Sequence, residues 1–266
     1  MKKIKILFIA SALLVAFGCN KEENPSEENL ISFEEFTFKG VSFKMIKVEG
    51  GTFTMGGTPE QGADAEDYEY PVHPVTLSDY YIGQYEVTQE LWKAVMVFNP
   101  SYYNGNSKNP VEKVSWNDIV NDFLPKLNKL TGKTFTLPTE AQWEFAARGG
   151  NKSQHYTYSG SNNIDDVAWY DGNNSSFETK PVGQKKPNEL GLYDMSGNVY
   201  EWCSDWYGSY SSSAQTDPVG PSSGSRRVLR GGSYIDSAWD GRVSDRLNSQ
   251  PDDRYDSSGF RLALAL

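Results

Sequence analysis

Thiols and imidazoles are scarce in this chain, two cysteines and two histidines among 266 residues. His73 and His155 are too few for a three-histidine iron centre, and no serine is singled out beside either as a nucleophile with its base. Cys19 and Cys203 are the only cysteines, so a chain processed at Cys19 carries one thiol in its folded part and forms no disulfide within it. Positive charge is also short, with 25 Lys and Arg against 35 Asp and Glu. Arg226, Arg227 and Arg230 form the one tight basic cluster, which excludes nucleic acid as a partner, since phosphate backbones demand extended basic surface. Long apolar runs are missing except from Ile6 to Phe17, shorter than the roughly 20 residues that span a bilayer.

That single run follows Lys2, Lys3 and Lys5 and closes on Gly18 before Cys19, the grammar of a cleaved signal peptide. Val15-Ala16-Phe17-Gly18-Cys19 resembles a bacterial lipoprotein cleavage box, although Ala16 stands where leucine is commoner. Lipidation at Cys19 is therefore expected, with a membrane as partner through the anchor. Removing residues 1–18 takes away three lysines and no acid, moving the net charge from −10 to −13. The polar, acidic stretch from Asn20 to Asn29 has no hydrophobe to bury and reads as a tether. It also resembles the signal that sends Bacteroidetes-type lipoproteins to the outer face of the outer membrane. The expected organisation is a signal peptide at 1–18, an acidic tether at 19–38 and one domain at 39–266, without internal repeats.

Within the domain, Gly51 to Gly56 and Val75-Thr76-Leu77 alternate as strands. Three helices are signalled. Thr88 caps one carrying Leu91, Trp92, Val95 and Met96 and ended by Asn99-Pro100. Ser115 with Asp118 opens a second from Trp116 to Leu130, with Ile119, Phe123, Leu127 and Leu130 as its stripe and Thr131-Gly132 as its stop. Thr139 with Gln142 opens a third, burying Trp143, Ala146 and Ala147 and closing at Gly149-Gly150. From Asn151 onward periodicity dissolves into Gly, Asn, Ser, Tyr and Trp, predicting an irregular α+β fold with long ordered loops. Fixing each loop residue costs about 1–2 kcal/mol of backbone entropy, so these loops need support beyond a hydrophobic core, for which bound metal is a candidate.

Gly50 to Gly56, Glu86-Val87-Thr88, Val114-Ser115-Trp116, Leu137 to Gly150, Gly191 to Trp202, Arg230-Gly231-Gly232-Ser233 and Gly259-Phe260-Arg261 occur in an order that resembles the formylglycine-generating enzyme, or sulfatase-modifying factor, family. The resemblance implies a C-type-lectin-like α+β architecture with little regular secondary structure. For the family's oxidases it implies oxygen-dependent conversion of a sulfatase cysteine to formylglycine, by a cysteine pair that holds copper(I) shortly after the Gly-Gly-Ser motif. Here Ser233 to Arg242 contains no cysteine. Cys203 would supply half of a two-thiolate site and reads better as a small buried hydrophobe, so copper is not expected.

The resemblance also implies a calcium site formed by the Asp194 and Glu201 side chains with the Gly197 and Val199 carbonyl oxygens. Alternatively, those two acids serve only as turn and hydrogen-bonding residues. Acids near a second family site, Asp165, Asp166 and Asp171, depart from its spacing. No residue is assigned a catalytic role. The candidate cleft comprises Ser233, Tyr234, Asp236, Trp239 and Arg242, while Arg246 and Arg261 read as buried partners of acids. The expectation is an exported module that binds or assembles a protein or glycan of the envelope. Its alternatives are an active formylglycine-generating enzyme and another envelope enzyme on the same scaffold.

Overall fold

A computed structural model describes residues 31–266; the signal segment, Cys19 and the first part of the tether lie outside them. The first ordered element begins inside the stretch read as tether. Phe33–Phe38 (β1) pairs antiparallel with Val41–Val48 (β2), from Phe33 opposite Ile46 to Phe38 opposite Val41. Lys39 and Gly40 both take positive φ, 48° and 84°, the backbone that closes a two-residue hairpin with the right twist. Phe36 stacks on Phe43 at 5.4 Å and meets Phe135 edge-on at 5.2 Å. The five-stranded sheet therefore takes in Phe33–Phe38, residues of the stretch read as tether.

Gly51–Met55 (β3), His73–Leu77 (β4) and Tyr80–Gly83 (β5) follow. The first helix, Gln89–Met96 (α1), is capped by Thr88 Oγ1, which accepts from Leu91 N at 3.3 Å, and it buries Leu91, Trp92 and Val95. The second opens at the Ser115/Asp118 box as expected, but it is not one regular helix. Trp116–Asp118 (α2) runs into a π turn over Ile119–Phe123 and resumes as Leu124–Thr131 (α3). Pro125 explains the break, because it has no N–H for the carbonyl four residues back and its ring crowds that oxygen. Phe135–Thr136 (β6) precedes Glu140–Ala147 (α4), whose Thr139/Gln142 box is formed reciprocally at 3.0 and 3.1 Å.

Between 151 and 199 the longest regular element is the four-residue helix Ile164–Val167 (α5). The remaining strands are Tyr200–Trp206 (β7), Gln215–Thr216 (β8), Arg227–Arg230 (β9), Arg246–Ser249 (β10), Ser258–Gly259 (β11) and Ala263–Ala265 (β12). They build three sheets, in strand orders β1-β2-β5-β12-β6, β10-β9-β7-β11 and β3-β4-β8. One core lies between α1, α3 and the five-stranded sheet, where Trp92 stacks on Phe123 at 4.9 Å and Phe260 meets both rings edge-on. The other gathers Trp143, Phe145, Val75, Val228 and Cys203 around α4.

The long loops are stapled by asparagines and buried arginines. Asn188 donates to Ala146 O at 2.8 Å and Ser159 Oγ at 3.0 Å, while its Oδ1 accepts from Leu190 N and Leu192 N. Asn174 donates to Glu178 O at 2.7 Å. Such side-chain bonds satisfy backbone groups that no ladder reaches.

Candidate functional site

β9 runs out into Gly231 and Gly232, at φ +98° and +71°. A Cβ on Gly231 would stand 3.1 Å from Trp143 Cζ2, and one on Gly232 would stand 2.8 Å from the Asp240 carbonyl oxygen. Only glycine fits that turn without displacing backbone. Ser233 and Tyr234, immediately beyond it, are buried. Ser233 Oγ donates to the Asp236 carboxylate. Burial raises the Asp236 pKa against that bond. Ser237 N and Oγ both donate to Asp240 Oδ2, closing a tight turn over Ala238–Gly241.

Of the five expected cleft residues, this geometry leaves two at the surface. Trp239 is 39% exposed and Asp236 half-buried; Ile235 beside them, at 44%, was not among those expected. Arg242 is corrected outright. Its guanidinium is buried and holds Glu69 through NH1 at 3.0 Å and NH2 at 2.7 Å, so it is spent on an internal ion pair. Tyr234 turns inward and shares a hydroxyl–hydroxyl bond of 3.1 Å with Tyr103, their rings edge-to-face at 5.4 Å. Tyr103 was missed from sequence, although the Tyr102-Tyr103 pair in a Pro/Gly loop was a visible signal. Glu112 was missed as well. It is wholly buried, accepts from Tyr103 N at 2.8 Å through Oε1, and leaves Oε2 unpartnered.

The expected calcium residues lie around the start of β7, against the same turn, where Gly197 N donates to Gly231 O at 2.8 Å and Tyr234 N to Asn198 O at 2.9 Å. Asp194 and Asn198 sit at φ 56° and 64° in a tight loop, and a Cβ on Gly197 would come within 2.3 Å of Trp169 O. Asp194 Oδ2 accepts from Gly183 N at 2.7 Å, while its buried Oδ1 has no partner. Burial, opposed by that bond and by Arg261, pushes its carboxyl up to about 6. Glu86 accepts from Asn198 Nδ2 at 2.9 Å and Val199 N at 3.2 Å. Its pKa is driven well above the carboxylate range by burial and then by Asp194 and Glu201.

Glu201 is occupied first by protein. Oε2 accepts from Trp143 Nε1 at 2.8 Å and Arg261 Nε at 2.6 Å, and Oε1 accepts from Arg261 NH2 at 2.5 Å. Glu201 alone pairs with Arg261, while the buried Glu86 and Asp194 carboxyls lie within reach of its charge. Among the described residues no three His, Cys, Asp or Glu side chains converge as ligands. Of the four groups expected at a calcium site, Asp194 Oδ1 is the side-chain oxygen left without a hydrogen-bond partner.

Cys203, the one cysteine among the described residues, is wholly buried, and burial raises its thiol pKa far above the ordinary range. Such a thiol is inert. Arg246 and Arg261 are buried partners of Glu140 and Glu201, as expected.

Residues 37–266 match the family model described as sulfatase-modifying factor enzyme 1-like domain. A chaperone protein LppX of Paenibacillus barcinonensis is 37% identical over 252 residues, covering 77% of this chain and 83% of that protein. A formylglycine-generating enzyme of Streptomyces coelicolor is 32% identical, covering 82% of this chain and 88% of that one. The solved structure of Treponema denticola variable protein 1 is similar at a TM-score of 0.79 and 35% identity, over 88% of this chain and 99% of that one.

Proposed function

Because this chain belongs to the sulfatase-modifying factor enzyme 1-like family, we propose that it is an exported lipoprotein acylated at Cys19. On this reading its domain binds or assembles a protein or glycan partner of the cell envelope, anchored at the outer membrane, and does not oxidise cysteine. One observation carries the reading. The loop after Gly231-Gly232-Ser233 has no thiol, and the single cysteine of the described domain is sealed in the core. The same loop turns Ile235 and Trp239 outward, and exposed aromatic and aliphatic side chains on a rigid loop suit macromolecular recognition. The relative called a chaperone protein supports an assembly role.

Incubation of the purified protein with a sulfatase-derived cysteine peptide, copper and oxygen is expected to leave the peptide mass unchanged. Formation of formylglycine would overturn the reading. The similarity to the Streptomyces coelicolor enzyme favours that second reading, an active formylglycine-generating enzyme. Intact mass of the chain from its own host tests the anchor, with an acylated N-terminal Cys19 expected and an unmodified terminus against it.

A calcium ion held by Asp194, Glu201 and the Gly197 and Val199 carbonyls belongs to the same proposal. It would neutralise the excess of buried carboxylate over Arg261 and fix the loop from Asp194 to Val199.

A further inference from the structure

A cavity of about 330 Å³ lies between the start of α4 and the loop that follows β7, and residues 231–242 take no part in its wall. His73, Glu140, Asp205, Trp206, Tyr210 and Arg246 line it together with Val219. Its size is within the range of small-molecule sites.

The charged donor of this wall is already used. Arg246 gives Nε and NH2 to the two Glu140 oxygens at 2.6 and 2.8 Å, and NH1 to the carbonyl oxygens of Tyr68 and Gly208 at 3.0 and 3.2 Å. The Tyr210 hydroxyl donates to Glu140 Oε1 at 3.1 Å. What remains unpartnered on the buried side chains is a pair of acceptors. Asp205, 4% exposed, uses Oδ2 to accept from Glu140 N at 3.0 Å and Ser204 Oγ at 2.9 Å, while Oδ1 accepts nothing among the described residues. It has no ion-pair partner among them either, in contrast to Glu140. His73, 2% exposed, bonds Pro71 O through Nδ1 at 3.1 Å. A carbonyl only accepts, so Nδ1 carries the proton and Nε2 presents a lone pair without a partner.

A wall with one unpaired carboxylate and one unpaired imidazole nitrogen calls for a ligand that donates and does not accept. An ammonium group has three donors and no lone pair. We infer that this cavity binds a primary ammonium group, either of a free alkylamine or of a lysine side chain in a peptide, with Asp205 as counter-ion and His73 Nε2 as second acceptor. The Trp206, Val219 and Met55 surfaces take the alkyl stem.

The electrostatics agree. Burial, then Glu140, push the Asp205 carboxyl up to about 7, with Ser204, the Glu140 amide and Arg246 opposing. A bound cation replaces that proton. Of the other groups nearby, Arg227 and Tyr210 keep one charge state across neutral pH. Protonation of Asp205 therefore weakens amine binding as pH falls below 7.

The full chain is titrated with n-butylammonium chloride against equal sodium chloride, following the Trp206 indole by NMR, with Nα-acetyl-lysine methylamide as a second arm. Saturable binding that tightens from pH 6 to pH 8 is expected. Asp205→Asn keeps an acceptor for Glu140 N and should weaken binding at least tenfold. Val219→Trp, at an exposed position on the rim, should block the cavity while leaving the carboxylate in place. Binding of butylammonium alone identifies a free amine as ligand, and binding of the lysine amide identifies a peptide side chain. No saturable binding of either, or equal binding by wild type and Asp205→Asn, overturns the inference.

Discussion

Arg261 and Glu201 form a two-point ion pair in which both side chains are fully buried, Nε to Oε2 at 2.6 Å and NH2 to Oε1 at 2.5 Å. The pair joins β7 to the segment leading into β12, and Arg261 also reaches the carbonyls of Gly83 and Tyr193 at 3.0 Å. One guanidinium thereby ties the four-stranded sheet, the five-stranded sheet and the Asp194 loop together.

Arg261→Met leaves Glu201 buried without its cation, beside the buried Glu86 and Asp194 carboxyls. Breaking a buried pair from one side costs about 3–5 kcal/mol, and equilibrium urea denaturation should find a loss of that size. A loss below 1 kcal/mol would mean that the pair is not the tie described.

Calcium bound as proposed would act on the same acids. Binding confined to the folded state stabilises by about 2.7 kcal/mol at a hundredfold excess over Kd. Melting curves should shift upward with added calcium and downward with chelator, and Asp194→Asn should shrink the difference. An unchanged melting temperature would remove the metal.

Glu112 gives the fold a pH dependence of definite sign. Its carboxyl is pushed up to about 7, by burial first and by Asp256, against the Tyr102 and Tyr103 amides and Lys113. Folding therefore takes up a proton between the unfolded value, roughly 4.3, and about 7. The resulting penalty is absent at pH 4 and grows as pH rises through 7. Glu112→Gln, which keeps an acceptor for Tyr103 N, should lose less stability than wild type between pH 5 and pH 8. Parallel declines in the two proteins would refute this.

Gly232 and Gly40 separate backbone strain from steric clash. Both have positive φ, but a Cβ on Gly40 meets nothing within 4 Å while one on Gly232 meets Asp240 backbone. Alanine at Gly40 should cost about 1–2 kcal/mol, the left-handed penalty alone, and alanine at Gly232 clearly more. Equal losses would show that the loop yields.

Trp143, packed against Gly231, and Trp239, in the loop beyond the Gly-Gly turn, should differ sharply. Trp239→Ala at the surface should change stability by about 0.5 kcal/mol, whereas Trp143→Ala, in the core and bonded to Glu201, should cost about 3–5 kcal/mol. The proposed recognition role requires that ordering, since a binding side chain is dispensable for folding.

Local rules carried the reading wherever a few neighbouring residues sufficed. The three N-terminal helix caps at Thr88, Ser115 and Thr139, the strands at Gly51 and Val75 and the family motifs were all legible, because capping and alternation act over three or four residues. The β1–β2 hairpin was missed beside an acidic stretch, though Phe36 and Phe38 pack against a core that only the whole chain builds. Pro125 interrupted the second helix despite an unbroken apolar stripe, a conflict that periodicity does not register. At the site, residue type suggested that Arg242 and Tyr234 faced a ligand, and burial assigned them to Glu69 and Tyr103. Three such partners come from 65 to 173 positions away: Arg246 finds Glu140, Arg242 finds Glu69, and Asp205 caps α4 while keeping one oxygen free. Sequence set the chemistry available, including a domain with one thiol and a surplus of carboxylates. Tertiary packing alone settled which of those groups are neutralised and which are left facing a cavity, because desolvation and pairing depend on distances that no local pattern encodes.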